Sequence, residues 1–221
     1  MKKRIKFTYL FILILLPLFL LGQHQQVIQL ASLYKKGKLK SVNREIKIVS
    51  SYSGDYVKIL ESTNEGIIWL PFRSFKKGTI EIEMRGKDVL QRSFIGIAFH
   101  GLDDMNYDAV YCRPFNFFAK DSVRRIHAVQ YISHPSFTWE KLRNERNAIF
   151  EKEIINPPRP DEWFTMKLVI DNTNVEVYIN DAVQPSLIIQ KLNNRTSGKV
   201  GLFTADRSGG DFKIIRINYR K

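Results

Sequence analysis

FTMKLVIDNTNVEVYIN (164–180) reads as two β-strands joined by a tight turn. Met166, Leu168 and Ile170 alternate with Lys167 and Val169, and Val175, Val177 and Ile179 alternate with Glu176, Tyr178 and Asn180. Side chains switch faces at every residue of a strand, so each half offers one apolar face to a core. Asp171-Asn172-Thr173-Asn174 between them is turn chemistry, because short polar side chains bond back to nearby amides. GTIEIEMR (78–85) repeats the rhythm, with Ile80, Ile82 and Met84 opposite Glu81, Glu83 and Arg85.

Further short runs rich in Val, Ile, Tyr and Phe lie on either side, at 45–50, 56–62, 66–70, 93–100, 107–113, 126–132, 199–205 and 211–219. Gly, Asn, Asp and Ser separate them, including a second turn at Ser208-Gly209-Gly210. There is no strand–helix alternation and no internal repeat. Many short strands with turn signals predict an all-β, two-sheet antiparallel jelly-roll sandwich. One stretch, 134–161, is too polar and too long for a hairpin loop. It predicts a partly helical excursion, with a short helix near 138–147 and extended backbone at Pro157, Pro158 and Pro160.

Residues 1–22 carry a basic start (Lys2, Lys3, Arg4, Lys6), an apolar run from Phe7 to Leu21, and Gly22. That is the layout of a secretory signal peptide, and the run is shorter than the ~20 residues of a membrane-spanning helix. Cleavage before Gln23 is expected, with an uncleaved anchor as the alternative. The expected organisation is a signal peptide (1–22), an N-terminal arm (23–44) ending in an edge strand, and one jelly-roll domain (45–221). The location is then periplasmic or secreted, with no stable membrane span once the signal is removed. About 199 residues remain, enough for a core without covalent staples. Cys112 is the only cysteine, so no intrachain disulfide forms, and its parity with Val110 makes it a buried thiol.

The net charge is +13; four of these charges belong to the leader, which leaves +9. A basic exported protein favours anionic partners such as acidic polysaccharide, and no nucleic-acid motif occurs. No cofactor is called for by any motif, and calcium is not readable from the sequence. His100, His127 and His134 fall on separate elements without metal-ligand spacing, so no metal site is expected.

The segment NYDAVYCRPFNFFAKDSVRRIHAVQYISHPSFTW (106–139) departs from a simple apolar-in, polar-out pattern. Tyr111 and Arg113 share one face of the first strand, and Gln130 shares a face with Ala128 on the second. A phenol, a planar cation and an amide on neighbouring strands suit a hydroxyl-rich ligand, or else line a solvated sheet face. Arg113 is the central candidate, its fork able to hold two ligand hydroxyls or one carboxylate.

SFIGIAFHG (93–101), HAVQYI (127–132), DEWFTMKLVIDNTNVEVYIND (161–181) and GKVGLFTADRSGGDFKIIRI (198–217) follow one another in an order that resembles the concanavalin A-like jelly rolls. The resemblance covers about residues 54–219. It is nearest the branch shared by laminin-G-like modules and the bacterial keto-disaccharide hydrolase domain. It implies carbohydrate-related work outside the cytoplasm. Three positions depart from the hydrolase pattern: Ala128 stands for the Glu of Glu-x-Gln, His100 for a strand-ending Arg, and Asn180-Asp181 for Asn-Gly. Laminarinase-like relatives carry three acids on one strand; here Glu81 and Glu83 lack the central Asp.

Placed on that fold, the expected ligand-binding residues are Tyr111, Arg113, Asn116, Gln130, His100, Trp139 and Arg143. Gly96 and Ala98 are expected to share a face with His100 and leave room above it. Trp139 is either a stacking platform or a plug under the excursion, and Arg143 either faces ligand or pairs with Glu140 or Glu145. Glu81 with Glu83, or Glu151, are the candidate carboxylates for hydrolysis, which needs two. Three functions stay open: a glycan-binding or glycan-processing domain, a glycoside hydrolase or lyase of the keto-disaccharide type, and a non-catalytic cell-surface interaction module.

Overall fold

The computed structural model describes residues 25–220. The predicted signal peptide and the first two residues of the expected arm lie outside them. Fifteen strands follow in order: β1 (Gln25–Gln29), β2 (Lys40–Val42), β3 (Ile46–Val49), β4 (Tyr56–Ile59), β5 (Gly66–Trp69), β6 (Gly78–Arg85), β7 (Ile95–Gly101), β8 (Asp108–Cys112), β9 (Val129–Ser133), β10 (Glu151–Lys152), β11 (Phe164–Ile170), β12 (Asn174–Ile179), β13 (Leu187–Gln190), β14 (Lys199–Thr204) and β15 (Gly210–Tyr219). Short helices α1 (Leu30–Lys35), α2 (Ser122–Arg125) and α3 (Trp139–Glu145) connect some of them. None of the described helices is long and apolar enough to cross a membrane.

The strands form two antiparallel sheets, the predicted jelly-roll sandwich. One runs β13-β12-β11-β6-β15-β4-β3 with β1 added along β15, and the other runs β10-β9-β8-β7-β14-β5-β2. The hairpin β11–β12 pairs Leu168 with Val177, and β6 lies on the other side of β11 with Ile80 opposite Leu168. Ile80, Ile82, Leu168, Val175 and Val177 are all fully buried, as the alternation requires. Across the sandwich Cys112 contributes to the same core; its Sγ lies 3.9 Å from Met166 Sδ, and burial pushes the thiol well above its ordinary value. It is an inert packing residue.

From Gln25 onward the expected arm is part of both sheets. β1 pairs with β15, β2 pairs with β5 at the far edge of the second sheet, and Leu30, Ala31 and Leu33 of α1 are buried. The excursion forms α3, capped by Thr138, whose hydroxyl accepts from the Lys141 amide. It then returns as β10, which adds to the edge of the second sheet with Glu151 opposite Gln130.

Two expectations from strand parity fail for local reasons. His100 has a left-handed φ of 49° beside a bulge between β7 and β14. The extra twist turns its side chain away from the Gly96 and Ala98 face. The imidazole is fully buried beside Phe75 and Phe99, with Nε2 2.8 Å from the Lys76 carbonyl oxygen. The room expected above Gly96 and Ala98 is filled by Phe203 from β14, which pairs with Gly96 and packs its ring on Tyr107 and Tyr111. Gly96 serves instead the close approach of strands, since a Cβ there would meet the Val110 carbonyl oxygen at 2.0 Å.

Candidate functional site

A groove of about 1030 Å³ runs over the outward face of the β10-to-β2 sheet. Its middle is aromatic: Tyr107 and Tyr111 stand on alternate positions leading into and along β8, with Phe94 beside Tyr111 in an edge-to-face contact. The walls come from loops, with Leu90 and Phe115 on one side and Met105 and Trp139 among the others. Trp139 is 43% exposed at the start of α3. Two clusters of polar groups occupy different parts of this groove, roughly 13 Å apart by the four-residue step from Tyr107 to Tyr111 along an extended chain.

The first cluster is organised by Glu151, only 2% exposed. Arg143 donates to it twice, Nε to Oε1 at 3.1 Å and Nη2 to Oε2 at 2.8 Å. Arg113 Nη1 lies 3.5 Å and His127 Nδ1 2.8 Å from Oε2. The neighbours of Arg113 are equally fixed. Its Nη1 donates to the His127 carbonyl at 2.8 Å, and its Nη2 donates to the Tyr111 hydroxyl at 3.0 Å and to Gln130 Oε1. The Tyr111 hydroxyl in turn donates to Gln130 Oε1 at 2.9 Å, and burial pushes that hydroxyl up to about 12. Burial also lowers His127; Glu151 opposes the shift, while Arg143 and Arg113 add to it. Next to this group, Arg124 donates to Asn116 Oδ1 and to the Phe115 carbonyl.

The second cluster centres on Glu65, at the turn into β5. The Tyr107 hydroxyl donates to Glu65 Oε2 at 2.6 Å, and His134 Nε2 lies 3.2 Å from the same oxygen. The Tyr107 and His134 rings stack with centroids 5.0 Å apart. Burial by itself would raise the Glu65 carboxyl. The His134 bond and charge, the Tyr107 hydroxyl and the Arg44 guanidinium outweigh it and hold the group below the usual carboxylate range.

A depressed carboxyl contributes stability that is complete above its unfolded value, near ~4.3, and is lost as pH falls through the lower folded value. Wild-type stability is therefore expected to be insensitive to Glu65 down to about pH 4 and to fall below it, and Glu65→Gln should show a shallower acid limb. Urea denaturation across the acid range checks this; parallel limbs would remove Glu65 from the linkage.

Of the residues singled out in the sequence, Tyr111, Arg113, Asn116, Trp139 and Arg143 line this one groove. Gln130 lies beneath them, fully buried and bonded to two of them. His100 is not part of it. Arg113 is 4% exposed with both terminal nitrogens donating to protein acceptors, so it shapes the floor and cannot fork onto a ligand as expected. Arg143 pairs with Glu151, not with Glu140 or Glu145, and its guanidinium stacks 5.2 Å from the Trp139 ring. Glu81 and Glu83 are on the other sheet, where Glu81 pairs with Arg216 at 2.8 Å, so they do not meet the groove. Glu65 and Tyr107 were not anticipated as ligand contacts, and His127 and His134 only as discarded metal ligands. They come together only in three dimensions, and no local spacing marks them.

No protein-family model matches the sequence, and no curated protein matches it. Solved structures do. A carbohydrate-binding module, CBM66 from Bacillus subtilis, is 14% identical over 82% of this chain and 92% of its own, with a TM-score of 0.52. A Bacillus subtilis protein of unknown function with a galectin-like fold is 16% identical over 83% and 91%, with a TM-score of 0.52. The exoplasmic/lumenal domain of VIP36, in a form bound to Ca²⁺ and Man3GlcNAc, is 13% identical over 85% and 86%, with a TM-score of 0.53. At these identities the likeness is one of fold: the chain is a two-sheet jelly-roll sandwich.

Proposed function

We propose that the protein is an exported lectin-type module that binds carbohydrate, acidic polysaccharide among its partners, in the groove over the β10-to-β2 sheet. The observation that carries the reading is the half-exposed Trp139 ring set beside fixed polar groups above an aromatic floor. A sugar ring has an apolar C–H face and a rim of hydroxyls. The indole offers the first a flat partner, while Arg143, His127 and Glu65 offer the second donors and acceptors. Two structural neighbours, the carbohydrate-binding module CBM66 and the Man3GlcNAc-bound VIP36 domain, support the same reading by fold.

Binding is favoured over a hydrolase or lyase of the keto-disaccharide type, and over an interaction module without a small ligand. Hydrolysis by a carboxyl pair needs one carboxylic acid kept protonated. Glu65 is held in its ionised form, and Glu151 is enclosed by Arg143, Arg113 and His127. A deep groove with an exposed ring, in turn, suits a glycan better than a flat protein face.

The test is a glycan panel screened with the mature protein, with analysis for released products. Trp139→Ala is expected to weaken binding of any hit by about 1–2 kcal/mol, roughly five- to thirtyfold. Unchanged affinity would reduce Trp139 to a cover for the excursion, and products would restore the enzyme reading. Export has its own check: protein recovered from the envelope or medium is expected to begin at Gln23, and an intact Met1 would indicate a retained anchor.

A further inference from the structure

Three guanidiniums, those of Arg113, Arg124 and Arg143, line the groove together with the His127 imidazole. Among the described residues Glu151 is the single carboxylate paired with any of them. Among the described residues Arg124 has no acidic partner; its Nε and Nη2 go to the neutral oxygens of Asn116 and Phe115 at 3.2 and 2.9 Å. Asn116 Nδ2 reaches the His127 carbonyl at 3.4 Å, the same oxygen that Arg113 holds, so these residues form one connected network. Three guanidiniums against one carboxylate leave this part of the groove with an excess of positive charge, and Arg124 and Arg143 are only half-buried, open enough to meet a ligand of opposite sign.

The other end of the groove is charge-balanced: Glu65 faces His134 and Arg44, Asp104 Oδ2 lies 3.6 Å from Lys40 Nζ, and Arg207 is paired with Asp206 at 2.9 Å. The excess of positive charge is therefore confined to the Arg124 end.

We infer that the Arg124–Arg143–His127 group is an oxyanion subsite, built for the carboxylate of a uronic acid residue or the sulfate ester of a sulfated sugar within a glycan. Guanidinium forks match both groups by paired, charge-assisted hydrogen bonds. Glu151 does not fill the subsite. Enclosed and 2% exposed, it clamps Arg143 from behind in a bidentate pair and fixes the direction of its fork. Trp139, stacked on Arg143, then places the sugar ring next to its own charged substituent. The anion site rests on the guanidinium network; that a sugar carries the anion rests on the carbohydrate reading above.

The experiment uses matched glycan pairs on the mature protein. Oligogalacturonates are compared with their methyl esters, and sulfated oligosaccharides with their desulfated forms, alongside uncharged oligosaccharides. In parallel, inorganic sulfate is titrated while the arginine Nε–Hε signals are followed by NMR. The expected result is that an acidic member binds at least tenfold tighter than its neutral counterpart, with affinity falling as salt rises. Whether carboxylates or sulfates lead identifies the source of the anion.

Arg124→Gln, with its fold checked by circular dichroism, should bring the acidic member to the affinity of the neutral one, and Arg124→Lys should lie between. Neutral and acidic members binding alike, without salt dependence, would overturn the subsite while leaving carbohydrate binding in place. If no glycan binds, the carbohydrate reading fails and sulfate decides the subsite. Shifts at Arg124 and Arg143 that vanish in Arg124→Gln would retain it, and their absence in the wild type would end it.

Discussion

Glu151→Ala is expected to destabilise the fold by about 3–5 kcal/mol, the range for removing one partner from a buried ion pair. The carboxylate stands within 4 Å of three nitrogen-bearing side chains, Arg113, Arg143 and His127, and Arg113 is as enclosed as Glu151 itself. Without it, the Arg113 guanidinium keeps its neutral acceptors but loses the one carboxylate paired with it among the described residues. Urea denaturation with a two-state fit gives the measurement.

A second variant separates charge from packing. Arg113→Met combined with Glu151→Leu replaces the buried pair by apolar groups of similar bulk and should lose less than the two single changes added together. A loss below about 1 kcal/mol for Glu151→Ala would instead match an exposed ion pair, and would mean that water reaches the cluster.

This cluster marks the limit of what the chain discloses before it folds. Strands that keep one face apolar are legible because parity alone fixes their burial: β6 and β11 span the residues that the alternation marks, and the β11–β12 turn falls on Asp171 to Asn174. β13 was not legible, since Leu187-Ile188-Ile189 reads as a short apolar run although Ile188 points outward. β10 is two residues long, too short for any period.

Parity also has no power over a bulge, and one left-handed residue was enough to send His100 to the opposite side from its neighbours. The groove was half legible. Tyr111 and Gln130 face each other on paired strands and Arg113 follows β8 directly, so face assignment sufficed to bring them together. Glu65, Tyr107 and His134 meet from widely separated points in the chain, and only the register of β5, β14, β7, β8 and β9 juxtaposes them.

The Glu65 end of the groove is supported from inside the sandwich, and the second large effect lies there. Asp108 is fully buried on the core side of β8. Its Oδ1 accepts from the Tyr131 hydroxyl at 2.8 Å, Asn193 Nδ2 at 2.6 Å and Arg195 Nη2 at 3.1 Å. Arg195 is also tied to the carbonyls of His134 and Tyr107, each at 3.0 Å. One buried carboxylate thus anchors the cation that holds the backbone on both sides of the Tyr107–His134 stack.

Asp108→Ala is expected to cost about 3–5 kcal/mol by leaving Arg195 and two polar neighbours, Tyr131 and Asn193, without this acceptor. If the variant folds, it should also weaken glycan binding, because Tyr107 and His134 lose the backing that aims them at Glu65. Arg195→Met should reproduce the binding defect, since it cuts the same ties from the other end. The two losses of stability should then be less than additive in the double variant, because both changes remove one network. Strict additivity would show that Asp108 and Arg195 act separately, and that the groove takes its shape from the sheet alone.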